Sequence, residues 1–196
     1  MKAYIDDIEY FVPSNKLSNE DLSEISPEWD VDKIFEKTGI SNRFIAGKDQ
    51  TAVDLAVSAA TKLFEKRPEL SNLVDFVILC TQSPDYYLPT SACLIQERLG
   101  LRQTVGAIDV NQGCSGFVYS IGLAKGLIET KQAEYVLVIT ADTYSKYINE
   151  KDKSVRTLFG DAAACTLIKG SSSNEELISR PIYGTNGKGG KHLIVP

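Results

Sequence analysis

Apolar and polar positions change period several times along the chain. MKAYIDDIEYF alternates, which predicts a strand over 2 to 11, and the polar, acidic residues near 19 to 25 predict a short helix. Asp30 is placed to cap a second helix, VDKIFEKTG, with Gly39 at its stop. Thr51 followed by Asp54 is a capping-box pattern, and Val53, Val57, Ala60 and Phe64 recur at helical spacing, so a helix is predicted over 51 to 66. LVDFVILC (73 to 80), TVGAIDV (104 to 110) and EYVLVITA (134 to 141) are nearly continuous apolar runs. Helical patterns lie between them, at 90 to 100 and at 115 to 130, the second with Phe117, Ile121, Ala124 and Ile128 on one stripe. Strands of this kind alternating with helices predict parallel βαβ units covered on both faces, an α/β class with a parallel or mixed sheet. Beyond a charged loop (142 to 157), AAACTLIK (162 to 169) and ELISRPIYG (176 to 184) are expected to pair antiparallel.

Composition narrows the partners. A net charge of −5 provides no basic face to displace counterions, which excludes a duplex nucleic-acid binder. The first residues lack the apolar core of a signal peptide, and no run approaches the length of a membrane span, so a cytoplasmic location is expected. The four cysteines are widely spaced, which argues for reduced thiols rather than a disulfide framework, and a single histidine without a CxxC element argues against zinc.

The stretch DVNQGCSGFVYS (109 to 120) places Cys114 between a predicted buried strand and a helix. In open parallel sheets ligands bind beyond the carboxyl ends of the strands, and a helix N-terminus favours negative charge on a neighbouring group, including a nucleophilic sulfur. Gly113 and Gly116 supply the tight turn and close backbone approach of a nucleophile elbow. Free cysteines are also commonly inert core residues. For Cys80, Cys93 and Cys165, inside apolar or small-residue segments, that inert reading is taken; for Cys114 the residues alone leave both readings open.

DVNQGCSGFVYS resembles the active-site motif of the 3-oxoacyl-acyl carrier protein synthase III branch of the thiolase superfamily. KTGISNRFIA (37 to 46), LPTSACLIQERLG (88 to 100) and TLFGDAAACTLI (157 to 168) agree with that family in order and spacing. The resemblance implies a thiolase-like fold built from two similar halves, of which residues 1–184 are the first. GTNGKGGKHLIVP (184 to 196) is similar to the opening of the second half, which is assigned from 185 onward, and the chain is expected to be the N-terminal part of a longer parent. It also implies a homodimer, with Cys114 as nucleophile. That cysteine takes an acyl group from acyl-CoA or an acyl carrier protein and condenses it with malonyl-acyl carrier protein under decarboxylation, with no metal or redox cofactor. The histidine and asparagine completing the catalytic set fall beyond this chain; His192 lies too early and is read as a surface or loop residue.

Other positions follow from the same resemblance. Lys37 is the basic residue before TGI, but Lys33 stands where CoA-using members carry an adenine-stacking tryptophan. Trp29 is read as a packing residue. Lys146, Lys151, Lys153 and Arg156 form a charged loop, either solvated or holding a phosphate of CoA or phosphopantetheine; Lys153 falls where the family has an arginine near CoA. Arg43 either binds phosphate or ties down the TGI loop. Leu88 is implied to touch the acyl chain in the partner's pocket, with core packing as its alternative. Phe117, directly after the Cys-Ser-Gly run, is carried as a substrate-side residue. Gln112 and Gly113 replace two alanines of the family motif, which points to a specialised member. GTNGKGG lacks the Ser or Thr and the helix of a phosphate loop. Two rivals remain: an acyltransferase to an oxygen or nitrogen acceptor, and a non-catalytic dimer partner or fragment.

Overall fold

A computed structural model describes residues 1–192, 194 and 195. Its elements run β1 (Lys2–Phe11), β2 (Asn15–Ser18), α1 (Asn19–Ile25), α2 (Val31–Thr38), β3 (Asn42–Ile45), α3 (Ala52–Lys66), α4 (Leu70–Leu73), β4 (Phe76–Cys80), α5 (Ser91–Arg98), β5 (Gly106–Val110), α6 (Gly116–Glu129), β6 (Tyr135–Asp142), α7 (Lys153–Arg156) and β7 (Ala162–Ser171). Two single 3-10 turns, Tyr144–Lys146 and Gly187–His192, complete the chain.

The predicted boundaries of the capped helices are reproduced because local chemistry sets them. The Asp30 side chain accepts from Lys33 N–H at the start of α2, and Gly39 ends that helix at φ 68°, a left-handed conformation that glycine adopts without a Cβ penalty. Thr51 and Asp54 form the reciprocal capping box of α3. Burial alone would raise the Asp54 carboxyl, but the Thr51 N–H and the Arg98 guanidinium outweigh it and hold the group below its ordinary value. A carboxyl depressed in the folded state contributes stability above its unfolded pKa and loses it as pH falls through the folded one. The stability difference between wild type and Asp54→Asn, measured by urea unfolding, is therefore expected to be about 1 kcal/mol at neutral pH and to vanish in acid below the ordinary aspartate range.

The main sheet has five strands in the order β1-β7-β6-β4-β5. β4 runs parallel to both β5 and β6, whereas β7 is antiparallel to β6 and β1, so the sheet is mixed rather than wholly parallel. The central strands read as continuous apolar runs because both faces are covered. Val77, Leu79, Leu137 and Ile139 pack with Leu55, Leu63 and Ile95 of α3 and α5 on one side. Ile78, Val136 and Val138 pack with Ile121, Ala124 and Ile128 of α6 on the other. A separate small sheet, β2 with β3, sits beside a cluster of Leu22, Trp29 and Ile34.

Four expectations change. The run 73 to 80 divides into α4 and β4. Residues 176 to 184 form no strand, because both edges of β7 are already taken by β1 and β6. They lie on α6 instead: the buried Lys125 ammonium donates to Glu129, Glu176 and the Ile178 carbonyl at 2.8 to 2.9 Å, and the Tyr183 ring meets Tyr119 at 4.6 Å. The core face of α3 is broader than the named stripe, with Leu55, Ala56, Ala59 and Leu63 fully buried while Val57 and Phe64 are only partly so. Cys93 is exposed rather than core, since α5 turns Ala92 and Ile95 inward.

Candidate active site

Cys114 lies between the end of β5 and the first turn of α6, and its thiol side is exposed. Ser115 occupies the N-cap position of α6 without a capping side-chain bond, so the first amides of the helix have no side-chain acceptor beside the sulfur. The turn is closed by Gly116 N–H donating to the Gly113 carbonyl at 2.8 Å. Contact requires glycine at 116, where the neighbour is a short buried side chain, more than at 113, where it is the movable end of Gln82. A Cβ at Gly113 would stand 2.8 Å from Gln82 Oε1, and one at Gly116 would stand 2.1 Å from Cys80 Sγ. Cys80 is itself held, buried at the end of β4 with its sulfur on the Gln112 carbonyl at 3.3 Å, and burial pushes its thiol up. Gly116→Ala is therefore expected to lower stability by about 1–3 kcal/mol. Adding Cys80→Ala should recover part of the loss in a urea-unfolding double-mutant cycle, because the obstructing sulfur is gone; strict additivity would reject the contact as the cause.

Carboxylates from neighbouring strand ends hold the loops around the thiol. Asp109 of β5 accepts from Ser91 N–H and Ala92 N–H, both at 2.8 Å, which caps α5 from outside the helix. Asp142, at the end of β6, accepts from Gln82 N–H (2.8 Å), Ser83 Oγ (2.9 Å) and Thr81 Oγ1 (3.2 Å). Burial raises its carboxyl, against the pull of those donors. Sequence reasoning missed Gln82, Asp142 and Tyr144; no motif marks them, and their common location follows from β4 lying beside both β5 and β6.

The predicted substrate residues separate into groups. Lys37 and Lys153 come together from α2 and α7 and, with Lys33, Ile34, Thr38 and Leu158, line a groove of about 430 Å³. Arg156 is half-buried outside that lining, and its charge adds to the burial that lowers Arg43. Arg43 is 3% exposed and spends its guanidinium on the Thr157 carbonyl (2.6 and 3.0 Å) and Asn19 Oδ1 (2.9 Å). Three of its five N–H groups are thereby bound inside the fold. Trp29, also 3% exposed, packs on Leu22 and Ile34. Leu88 is 85% and Tyr87 97% exposed, so neither packs in the core of the described residues. Phe117 is 38% exposed at the first turn of α6, off the buried stripe on which it was expected. His192 is exposed in the last 3-10 turn.

Residues 108–187 match the family model described as 3-Oxoacyl-[acyl-carrier-protein (ACP)] synthase III. A beta-ketoacyl-[acyl-carrier-protein] synthase III of Syntrophomonas wolfei is 34% identical over 100% of this chain and 58% of its own length. The chain is similar to the first part of synthase III enzymes. A synthase III of Lactococcus lactis is 36% identical over 98% of this chain and 58% of its own. Among solved structures, a 3-oxoacyl-(acyl-carrier-protein) synthase III shares 52% identity with a TM-score of 0.96, covering 99% of this chain and 58% of that one. The synthase III of Thermus thermophilus shares 32% identity with a TM-score of 0.83, covering 97% and 58%. The chain thus spans 58% of the length of these synthase III relatives, and its mixed sheet between helices is the thiolase-like architecture of that family.

Proposed function

We propose that the protein carrying this chain is a decarboxylating acyl-condensing enzyme with Cys114 as its acyl-accepting nucleophile. The observation that supports the reading is the exposed thiol on a tight turn whose Gly116 is enforced by contact with Cys80, set at the open N-terminus of α6. In the first step the Cys114 sulfur attacks the carbonyl of an acyl thioester and the carrier thiol leaves. In the second, malonyl-acyl carrier protein loses carbon dioxide, the resulting carbanion attacks the acyl-cysteine carbonyl, and the Cys114 sulfur departs from a 3-oxoacyl product. Each step develops an oxyanion to which unpaired helix N–H groups can donate, and neither calls on a metal or redox cofactor. The histidine and asparagine of the catalytic set belong to the second half, which begins at about residue 185 in this reading.

Lys37, Lys153 and the neighbouring Lys33 supply a basic groove for the phosphates of CoA or phosphopantetheine, with Arg43 fixing the loop rather than the ligand and Arg156 adding to the local positive field. With Trp29 buried, adenine has no tryptophan face here. The projecting Leu88 fits a second copy of the chain, where it reaches the acyl pocket, and Phe117 lies near the mouth of its own. Among the described residues no helix is long and apolar enough to cross a membrane. The test is intact-protein mass spectrometry of the full-length protein with acyl-CoA and acyl carrier protein donors. An acyl adduct on the Cys114 peptide is expected, with loading from CoA about tenfold or more weaker in Lys37→Glu/Lys153→Glu at low salt. Absence of any adduct would overturn the assignment.

A further inference from the structure

The turn that carries Cys114 is bordered by an exposed polar side chain whose carboxamide oxygen has a partner. Gln82 packs its carboxamide against Gly113, and its own N–H is bound by Asp142 at 2.8 Å. The Tyr144 hydroxyl donates to Gln82 Oε1. Tyr144 is positioned in turn by Phe159, whose ring stacks on it at 5.5 Å. Burial, followed by the nearby Asp142, Cys114 and Cys80, pushes the Tyr144 hydroxyl up, so it stays protonated and able to donate. The carboxamide oxygen is therefore occupied, while its Nε2 donates to no acceptor among the described residues. Gln82 also lines a cavity of about 450 Å³ with Asn111, Tyr86, Tyr87 and Tyr147.

We propose that the Gln82 amide selects the acyl group, favouring a short chain that carries a hydroxyl or oxo oxygen over its plain alkyl counterpart. The inference rests on Cys114 being the acyl acceptor. An alkyl chain seated beside Nε2 strips water from a donor and returns nothing, whereas an oxygen on the chain replaces that water. Asn111 adds a second polar group to the same cavity, and the tyrosine rings supply apolar faces for the rest of a short chain.

The experiment compares loading rates of the full-length protein with butyryl-CoA and 3-hydroxybutyryl-CoA, read as adduct mass on the Cys114 peptide. The hydroxylated donor is expected to load about tenfold faster, and Gln82→Leu to bring the ratio near one. Tyr144→Phe, which releases the carboxamide, should shift the ratio the same way by a smaller factor, and it carries the test if Gln82→Leu fails to fold. Faster loading of butyryl in the wild type, a ratio unmoved by the variants, or equal slowing of both donors by Gln82→Leu would each overturn the selection while leaving the acyl-cysteine reading intact. No adduct from either donor, nor from carrier-bound forms of the same acyl groups, would overturn both.

Discussion

Cys114→Ala in the full-length protein is expected to reduce formation of 3-oxoacyl product by about 10⁴-fold or more, the scale seen when a covalent nucleophile is removed. Stability should change by no more than about 0.5 kcal/mol, because the thiol is exposed and makes no hydrogen bond among the described residues. That combination separates chemistry from scaffolding. The neighbouring Gly116→Ala injures both, since its Cβ meets the buried Cys80 sulfur. Cys114→Ser tests the same point with shape retained: a serine hydroxyl stays protonated and is a far weaker nucleophile than a thiolate, so the loss should stay within about tenfold of the alanine variant. Product formation followed by mass spectrometry, alongside urea unfolding of each variant, measures both quantities. A Cys114→Ala protein that keeps a tenth of the wild-type rate would remove the nucleophile assignment.

Local signals were legible wherever one short stretch carried the whole physical reason. The Asp30 and Gly39 ends of α2, the Thr51–Asp54 box, and the thiol between β5 and α6 all depend on residues within a few positions of one another. What was not legible depends on distant residues. The position of 176 to 184 is decided by Lys125 reaching Glu176, and by β1 and β6 closing both edges of β7. The bonds from the Arg43 guanidinium to the Thr157 carbonyl exist only in the fold, which brings together residues far apart in the chain. Lys37 and Lys153 were named separately, one from a motif and one from a charge run, and the fold is what places them in one groove. Gln82 and Asp142 carried no signal at all, because a polar residue after an apolar strand is ordinary and only the adjacency of β4 and β6 makes the pair. The sheet was expected to be parallel or mixed, and the fold decides between them, because an apolar run covered on both faces does not record its direction.

The FGD segment shows how such distant contacts bear on catalysis, and its aspartate is expected to be the most costly position to lose outside the core. Asp161 is 2% exposed and accepts from Ala46 N–H at 2.7 Å, Ser145 N–H at 2.9 Å and the Ser145 hydroxyl, while its own N–H donates to the Phe44 carbonyl at 2.7 Å. One carboxylate thus joins the end of β3 to the start of the loop that carries Lys153. Asp161→Ala leaves two backbone donors and a hydroxyl without their acceptor and is expected to lower stability by about 3 kcal/mol. Asp161→Asn keeps one acceptor oxygen and should cost about half as much, and Ser145→Ala about 1 kcal/mol. Activity should follow the geometry rather than the chemistry. As Lys153 loses its fixed position opposite Lys37, KM for a CoA thioester rises several-fold in Asp161→Asn while kcat changes by less than about twofold, since Cys114 is held by β5 and α6 and not by this loop. Urea unfolding and steady-state kinetics on the same preparations decide it: a variant that loses kcat with KM unchanged would place Asp161 in support of the nucleophile, not of the groove.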